Sequence, residues 1–147
     1  MNKYRDLMIL IVDLLLLTGC GTNVVPAEPL PAAPPGVTTV EIIYLNHGPV
    51  RPVLAEIDAL LEDYGEQVHI TRYDFGAPEG EAFAQARNLT GHTPLAIFIN
   101  GSMEFSVGDR TVKFYSFPQG QGTGLAPSGA WTLDDLQQVL DQAVGKG

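Results

Sequence analysis

VTTVEIIYLNHGPVRPVLAEIDALLEDYG, residues 37–65, decides how the rest of the chain is read. Val37 to Leu45 is dense in Val, Thr, Ile and Tyr, residues that suit an extended backbone packed on both faces, and it predicts a buried strand. Asn46-His47-Gly48-Pro49 breaks that strand. From Val50 to Tyr64 the apolar residues Val53, Leu54, Ile57, Leu60 and Leu61 recur at helical spacing, and Gly65 stops the helix. A strand that turns within four residues into an amphipathic helix is the opening of an α/β domain.

Working toward the C-terminus, Val68 to Phe75 predicts a second strand, and Glu79 to Leu89 a second helix with Phe83, Ala86 and Leu89 along one side. Leu95 to Ile99 predicts a third strand. Asn100-Gly101 is a strong hairpin signal, so Met103 to Val107 is expected to pair back antiparallel on that strand. Thr111 to Phe117 adds a further strand, and Pro118 to Ala130 is a Gly-rich loop. Thr132, with Asp135 three residues on, reads as the cap of a last helix whose apolar face is Leu133, Leu136, Val139 and Leu140. The order is β-α-β-α-β-β-α, and its β-α-β start implies an α/β domain with a parallel strand pair and a helical crossover.

Working toward the N-terminus, Thr22 to Gly36 contains Pro26, Pro29, Pro31, Pro34 and Pro35, a composition that favours extended, semi-rigid chain. Before it, Met1 to Arg5 is a short basic start, Leu7 to Leu17 is almost wholly apolar, and Leu17-Thr18-Gly19-Cys20 follows. That order describes a secretory signal, and the apolar run is shorter than the roughly 20 residues a transmembrane helix needs. Leu-Thr-Gly-Cys resembles the lipobox of bacterial lipoprotein signals, in which the cysteine is diacylated and becomes the new N-terminus. Asp13 departs from the pattern, because a carboxylate inside the apolar run costs roughly 2.5 to 3.5 kcal/mol on insertion. The expected organisation is a lipoprotein signal peptide at 1–19, a lipidated Cys20 with a Pro/Ala-rich spacer at 20–36, and one domain at 37–147. Membrane attachment outside the cytoplasm, in the cell envelope, is then through lipid on Cys20.

The formal net charge is −9. An acidic protein is repelled by nucleic acid and by anionic headgroups, which sets nucleic-acid binding aside. The chain has one cysteine. It cannot form an internal disulfide, and if Cys20 is acylated no free thiol remains.

Three further signs resemble the thioredoxin family. His47-Gly48-Pro49-Val50 stands between first strand and first helix, where thioredoxins have Cys-Gly-Pro-Cys. Gly91-His92-Thr93-Pro94 precedes the third strand, where they have a cis-proline. Leu95-Ala96-Ile97-Phe98-Ile99-Asn100-Gly101 is similar to the family's strand and tight turn. The resemblance runs from Val40 to Phe105 and resumes at the final helix. It implies a thioredoxin-like fold, a three-layer α/β sandwich around a central mixed sheet, with a cis bond between Thr93 and Pro94 and a peptide-binding groove beside that proline. The departures are as informative. Both redox cysteines are replaced, by His47 and Val50, the usual tryptophan is Asn46, and the family's extra N-terminal strand and helix have no counterpart. A thiolate at a helix start attacks a disulfide and a second thiol resolves it, and His47 and Val50 do neither. Thiol-disulfide enzyme activity is therefore not expected, nor is a cofactor.

The leading expectation of function is a redox-inactive thioredoxin-like domain that binds an envelope protein or peptide through Asn46, His47, Gly48, Pro49, Val50, Arg51, Thr93 and Pro94. Thr93 and Pro94 are expected to leave backbone groups open at the rim, with Phe117 and Trp131 either walling the groove or buried in the core. The alternative is a copper- or zinc-handling envelope protein in which His47 and His92 share an ion, with Asp74 and Glu41 as candidates for a third ligand. A purely structural, degenerate domain is the third. His69 falls within a strand pattern and is read as structural. Glu41 stands near where thioredoxins place a buried carboxylate. Gln119 to Gly124 is a flexible loop, since no Gly-Lys-Ser/Thr follows it to cradle phosphate.

Overall fold

The computed structural model describes residues 32–89, 93–124 and 127–146. Among them β1 (Thr38–Tyr44) leads into α1 (Val50–Glu62) and back through a short 3-10 turn, Gly65–Gln67, to β2 (Val68–Asp74). α2 (Pro78–Ala86), β3 (Leu95–Ile99), β4 (Glu104–Val107), β5 (Arg110–Lys113) and α3 (Leu133–Ala143) complete the order. β1 pairs parallel with β2, from Thr38 opposite Val68 to Tyr44 opposite Asp74. It pairs antiparallel with β3, from Val40 opposite Ile99 to Tyr44 opposite Leu95. The expected parallel β-α-β start and mixed central sheet are both present, in the strand order β2-β1-β3.

Strand alternation divides the apolar residues between two faces. On one face Val40, Ile42, Leu95, Ile97 and Ile99 pack with Val53, Ile57 and Leu61 of α1 and Leu136, Val139 and Leu140 of α3. On the other, Ile43, Ala96 and Phe98 pack with Phe83 and Ala84 of α2. Helices thus lie on both sides of the sheet in three layers. Phe114, Phe117 and Trp131 close the larger core, each at most 1% exposed. Phe117 and Trp131 are therefore core residues, not a wall of a groove. The Trp131 indole donates to the Tyr115 and Ser116 carbonyls at 3.2 and 3.3 Å.

Local chemistry sets the ends of the elements. α2 begins at Pro78 and carries Glu79 and Glu81 in its first turn, where the helix dipole favours carboxylates. A Cβ on Gly80 would penetrate the Asp74 carbonyl oxygen, so only glycine lets α2 approach the end of β2. The Thr132 hydroxyl accepts from Asp135 N–H while the Asp135 carboxylate accepts from Thr132 N–H, the reciprocal cap expected for α3. Asp135 is 4% exposed and is neutralised by an ion pair with Arg110.

Two expectations are corrected. Asn100-Gly101 does make a tight turn, with φ of +48° and +80° and an Ile99–Ser102 bridge. Beyond it the chain leaves β3, however, and β4 pairs with β5 across Gly108-Asp109. The neighbour of β3 is instead the chain at Phe114–Ser116: Ile97 N–H donates to Phe114 O at 3.0 Å and Ser116 N–H to Leu95 O at 2.8 Å. The short turn at Gly108 closes the β4–β5 hairpin locally. Placing residue 114 beside β3 buries Phe114 completely, edge-on to Trp131 with ring centroids 5.5 Å apart. Second, no peptide bond among the described residues is cis, so Thr93–Pro94 is trans. Trans is the ordinary isomer, and in it the Pro94 carbonyl still accepts from Leu45 N–H at 3.0 Å. No helix among the described residues is long and apolar enough to cross a membrane.

Candidate functional site

The loop from β1 to α1 and the entry to β3 meet at the C-terminal end of β1, joined by the Leu45–Pro94 hydrogen bond. His47 N–H donates to Leu45 O at 2.9 Å and Val50 N–H to His47 O at 3.0 Å, which folds Asn46 to Pro49 into a compact turn. Asn46, His47, Gly48, Pro49 and Arg51 are all exposed. The Asn46 amide donates to Asp74 Oδ2 at 3.1 Å, and Asp74 Oδ1 accepts from Gly76 N–H at 2.9 Å. One carboxylate thus ties the loop to the end of β2.

Three residues expected at this rim are not at the surface. Val50 and Thr93 are 0% exposed, and Pro94 is buried. Val50 faces the larger core. The Thr93 hydroxyl lies 3.1 Å from the Tyr115 hydroxyl. The Pro94 carbonyl is occupied by Leu45, so it is not an open backbone group for an incoming strand. Cys20 and His92 lie outside the described residues, and with His92 so does the proposed pair of imidazoles. Among the described residues no three His, Cys, Asp or Glu side chains are grouped to hold a metal ion. Of the candidates for a third ligand, Asp74 is engaged as above and Glu41 is held by Arg87.

A second, polar site was not anticipated. It is a cleft of about 370 Å³ on the α2 face of the sheet, toward the N-terminal ends of β1 and β2. Thr39 and Glu41 of β1 and His69, Thr71 and Tyr73 of β2 form its floor, Asn100 and Gly101 one wall, and Ala32 and Ala33 another. Arg87 reaches in from the end of α2. Its Nη2 donates to Glu41 Oε2 at 2.7 Å and its Nη1 to Gly101 O at 2.9 Å. The guanidinium also lies over the rings of Phe83 and Phe98, 5.0 and 4.7 Å from their centroids. Tyr73 stacks on Phe83 at 4.1 Å. Burial pushes its phenol pKa up, with the Glu41 charge in the same direction and Arg87 opposing. His69 is half-buried on this floor. Glu41, expected from the thioredoxin resemblance behind the His47 loop, belongs to this cleft instead.

A signal for this cleft does exist in the sequence. The alternate residues Thr39 and Glu41, and His69, Thr71 and Tyr73, are polar or amphipathic at a period of two, which marks a sheet face that is not wholly covered. Arg87 could not be assigned to it, because it arrives from another element. Compared with protein-family models, with curated proteins and with solved structures, the chain matches none.

Proposed function

We propose that the chain is a lipid-anchored envelope protein whose domain, residues 37–147, is a redox-inactive thioredoxin-like module that binds polypeptide. The observation that carries this reading is the placement of His47-Gly48-Pro49-Val50. It connects the central strand to the first helix of a sheet ordered β2-β1-β3, with β2 parallel and β3 antiparallel to β1 and helices on both faces. Thioredoxins carry their two sulfurs in that connection, and here neither position can supply a thiolate. The trans bond at Pro94 counts against that family likeness. With the Pro94 carbonyl held by Leu45 N–H and Val50, Thr93 and Pro94 buried, the accessible residues at this end of β1 are Asn46, His47, Gly48, Pro49 and Arg51. The signal-like first nineteen residues and the proline spacer are consistent with a domain held away from a membrane by lipid on Cys20.

Site-specific replacement of His47 by photoreactive benzoylphenylalanine in cells tests the binding role. Repeated capture of one envelope polypeptide, reduced by Arg51→Glu and by Asn46→Arg, is the expected result. Reaction with lipid and water alone would count for a purely structural domain. Surface residues are the ones to change here, because a substitution at fully buried Thr93 would disturb packing.

A further inference from the structure

The strand order leaves β2 at the edge of the three-stranded sheet. Phe75 N–H donates to Tyr44 O at 2.8 Å. Peptide groups of successive residues point to opposite sides of a strand, so those of His69, Thr71 and Tyr73 face β1 and those of Ile70 and Arg72 face outward. Among the described residues these outward groups have no backbone partner. Side chains alternate too, and each face of the edge borders a cleft. His69, Thr71 and Tyr73 line the polar cleft described above. Ile70 and Arg72 line another, of about 560 Å³, with Asp58, Leu61, Glu62 and Gly65 of the α1 layer. We propose that β2 accepts an extended polypeptide segment as an added strand, with basic side chains on its α1 side.

An added strand gains main-chain hydrogen bonds from the edge and specificity from pockets for alternate side chains, and β2 offers both. Natural edges are commonly blunted by proline, lysine or a bulge. β2, with the sequence VHITRYD, has no proline, lysine or glycine, and its register with β1 is unbroken over seven residues. Charge selects the occupant. Arg72 is engaged by Asp58, whereas Glu62 in the same cleft and Glu66 just before β2 make no ion pair among the described residues. A strand with Lys or Arg at alternate positions places cations beside those carboxylates. A second copy of a chain of net charge −9 brings the wrong sign. This surface is separate from the His47 loop and does not rest on the redox-inactive reading.

The test is fluorescence anisotropy of the full chain in dodecyl maltoside with a labelled heptapeptide, Thr-Lys-Val-Lys-Val-Lys-Thr. Its counterpart with Glu for Lys, and a form N-methylated at alternate amides, are the controls. The basic peptide is expected to bind, and the acidic and N-methylated forms to bind at least about tenfold more weakly. Ile70→Pro removes an outward N–H without removing a bond to β1, and should weaken the basic peptide by about tenfold. Glu62→Gln should weaken it by up to about fivefold. If Ile70→Pro fails to fold by circular dichroism, the N-methylated peptide asks the same question from the ligand side. No binding at millimolar peptide, equal binding of basic and acidic peptides, or undiminished binding after N-methylation would each overturn the proposal. So would self-association of the chain that Ile70→Pro abolishes, which would give the edge to a second copy.

Discussion

Arg87→Met probes how the α2 layer is fastened to the sheet. Methionine keeps much of the aliphatic stem and removes the guanidinium. The lost contacts are a charged hydrogen bond to Glu41 at 2.7 Å, a hydrogen bond to Gly101 O at 2.9 Å, and the stacking over Phe83 and Phe98. The Arg87 and Glu41 side chains are 28% and 21% exposed, so solvent screening is partial. A charged hydrogen bond in that setting contributes about 1.5 kcal/mol, near the lower end of its range, and the cation–π contacts about 0.5–1 kcal/mol together after screening. Glu41 also loses the cation that offsets its partial burial. The expected cost is about 2–3 kcal/mol, which for a domain of this size lowers Tm by roughly 8–15 °C. Trp131 is the sole tryptophan and is fully buried, so its fluorescence during urea unfolding reports the global transition. A double-mutant cycle with Glu41→Gln should return a coupling of about 1 kcal/mol. A loss below about 0.5 kcal/mol for Arg87→Met, with no coupling to Glu41, would refute this account of the cleft.

Two further outcomes follow from the packing. Gly80→Ala should destabilise the domain by about 2 kcal/mol or more in thermal melts, because its Cβ meets the Asp74 backbone and not a movable side chain. Tyr64, whose hydroxyl donates to Asp141 Oδ1 at 2.9 Å, has a phenol pKa pushed up to about 12, first by burial and then by that bond and the nearby carboxylate charges. The folded state therefore favours the protonated phenol. Its stabilisation is complete below pH 10, the ordinary tyrosine value, and is lost as pH rises toward 12. Unfolding free energies from urea titrations of the wild type should fall over that interval by on the order of 1–2 kcal/mol more than those of Tyr64→Phe, and parallel pH profiles would contradict the assignment.

The elements that were legible in the sequence are those whose signal is local. β3 runs from Leu95 to Ile99 as its apolar run predicts, and the Thr132–Asp135 cap starts α3 where expected. The pairing of β4 was not legible. Asn100-Gly101 predicts its turn correctly, but the partner of a strand depends on what else competes for the edge, and the burial of Phe114 decides that from further along the chain. At the candidate site, the exposure of His47 and its neighbours was readable from Asn-His-Gly-Pro. The burial of Thr93 and Pro94 was not, since it depends on Leu45 and Tyr115, which approach from other parts of the sheet. Arg87 escaped notice for the same reason. A lone arginine at a helix end resembles solvated surface until Glu41, Phe98 and Gly101 are seen around it.

The claim on which the proposed role depends is that lipid on Cys20 holds the domain at a membrane. Cells producing the wild-type chain and Cys20→Ser, fed radiolabelled palmitate, test it directly. The account predicts label in the wild-type band and none in Cys20→Ser. Equal labelling of the two, or none in either, would contradict it.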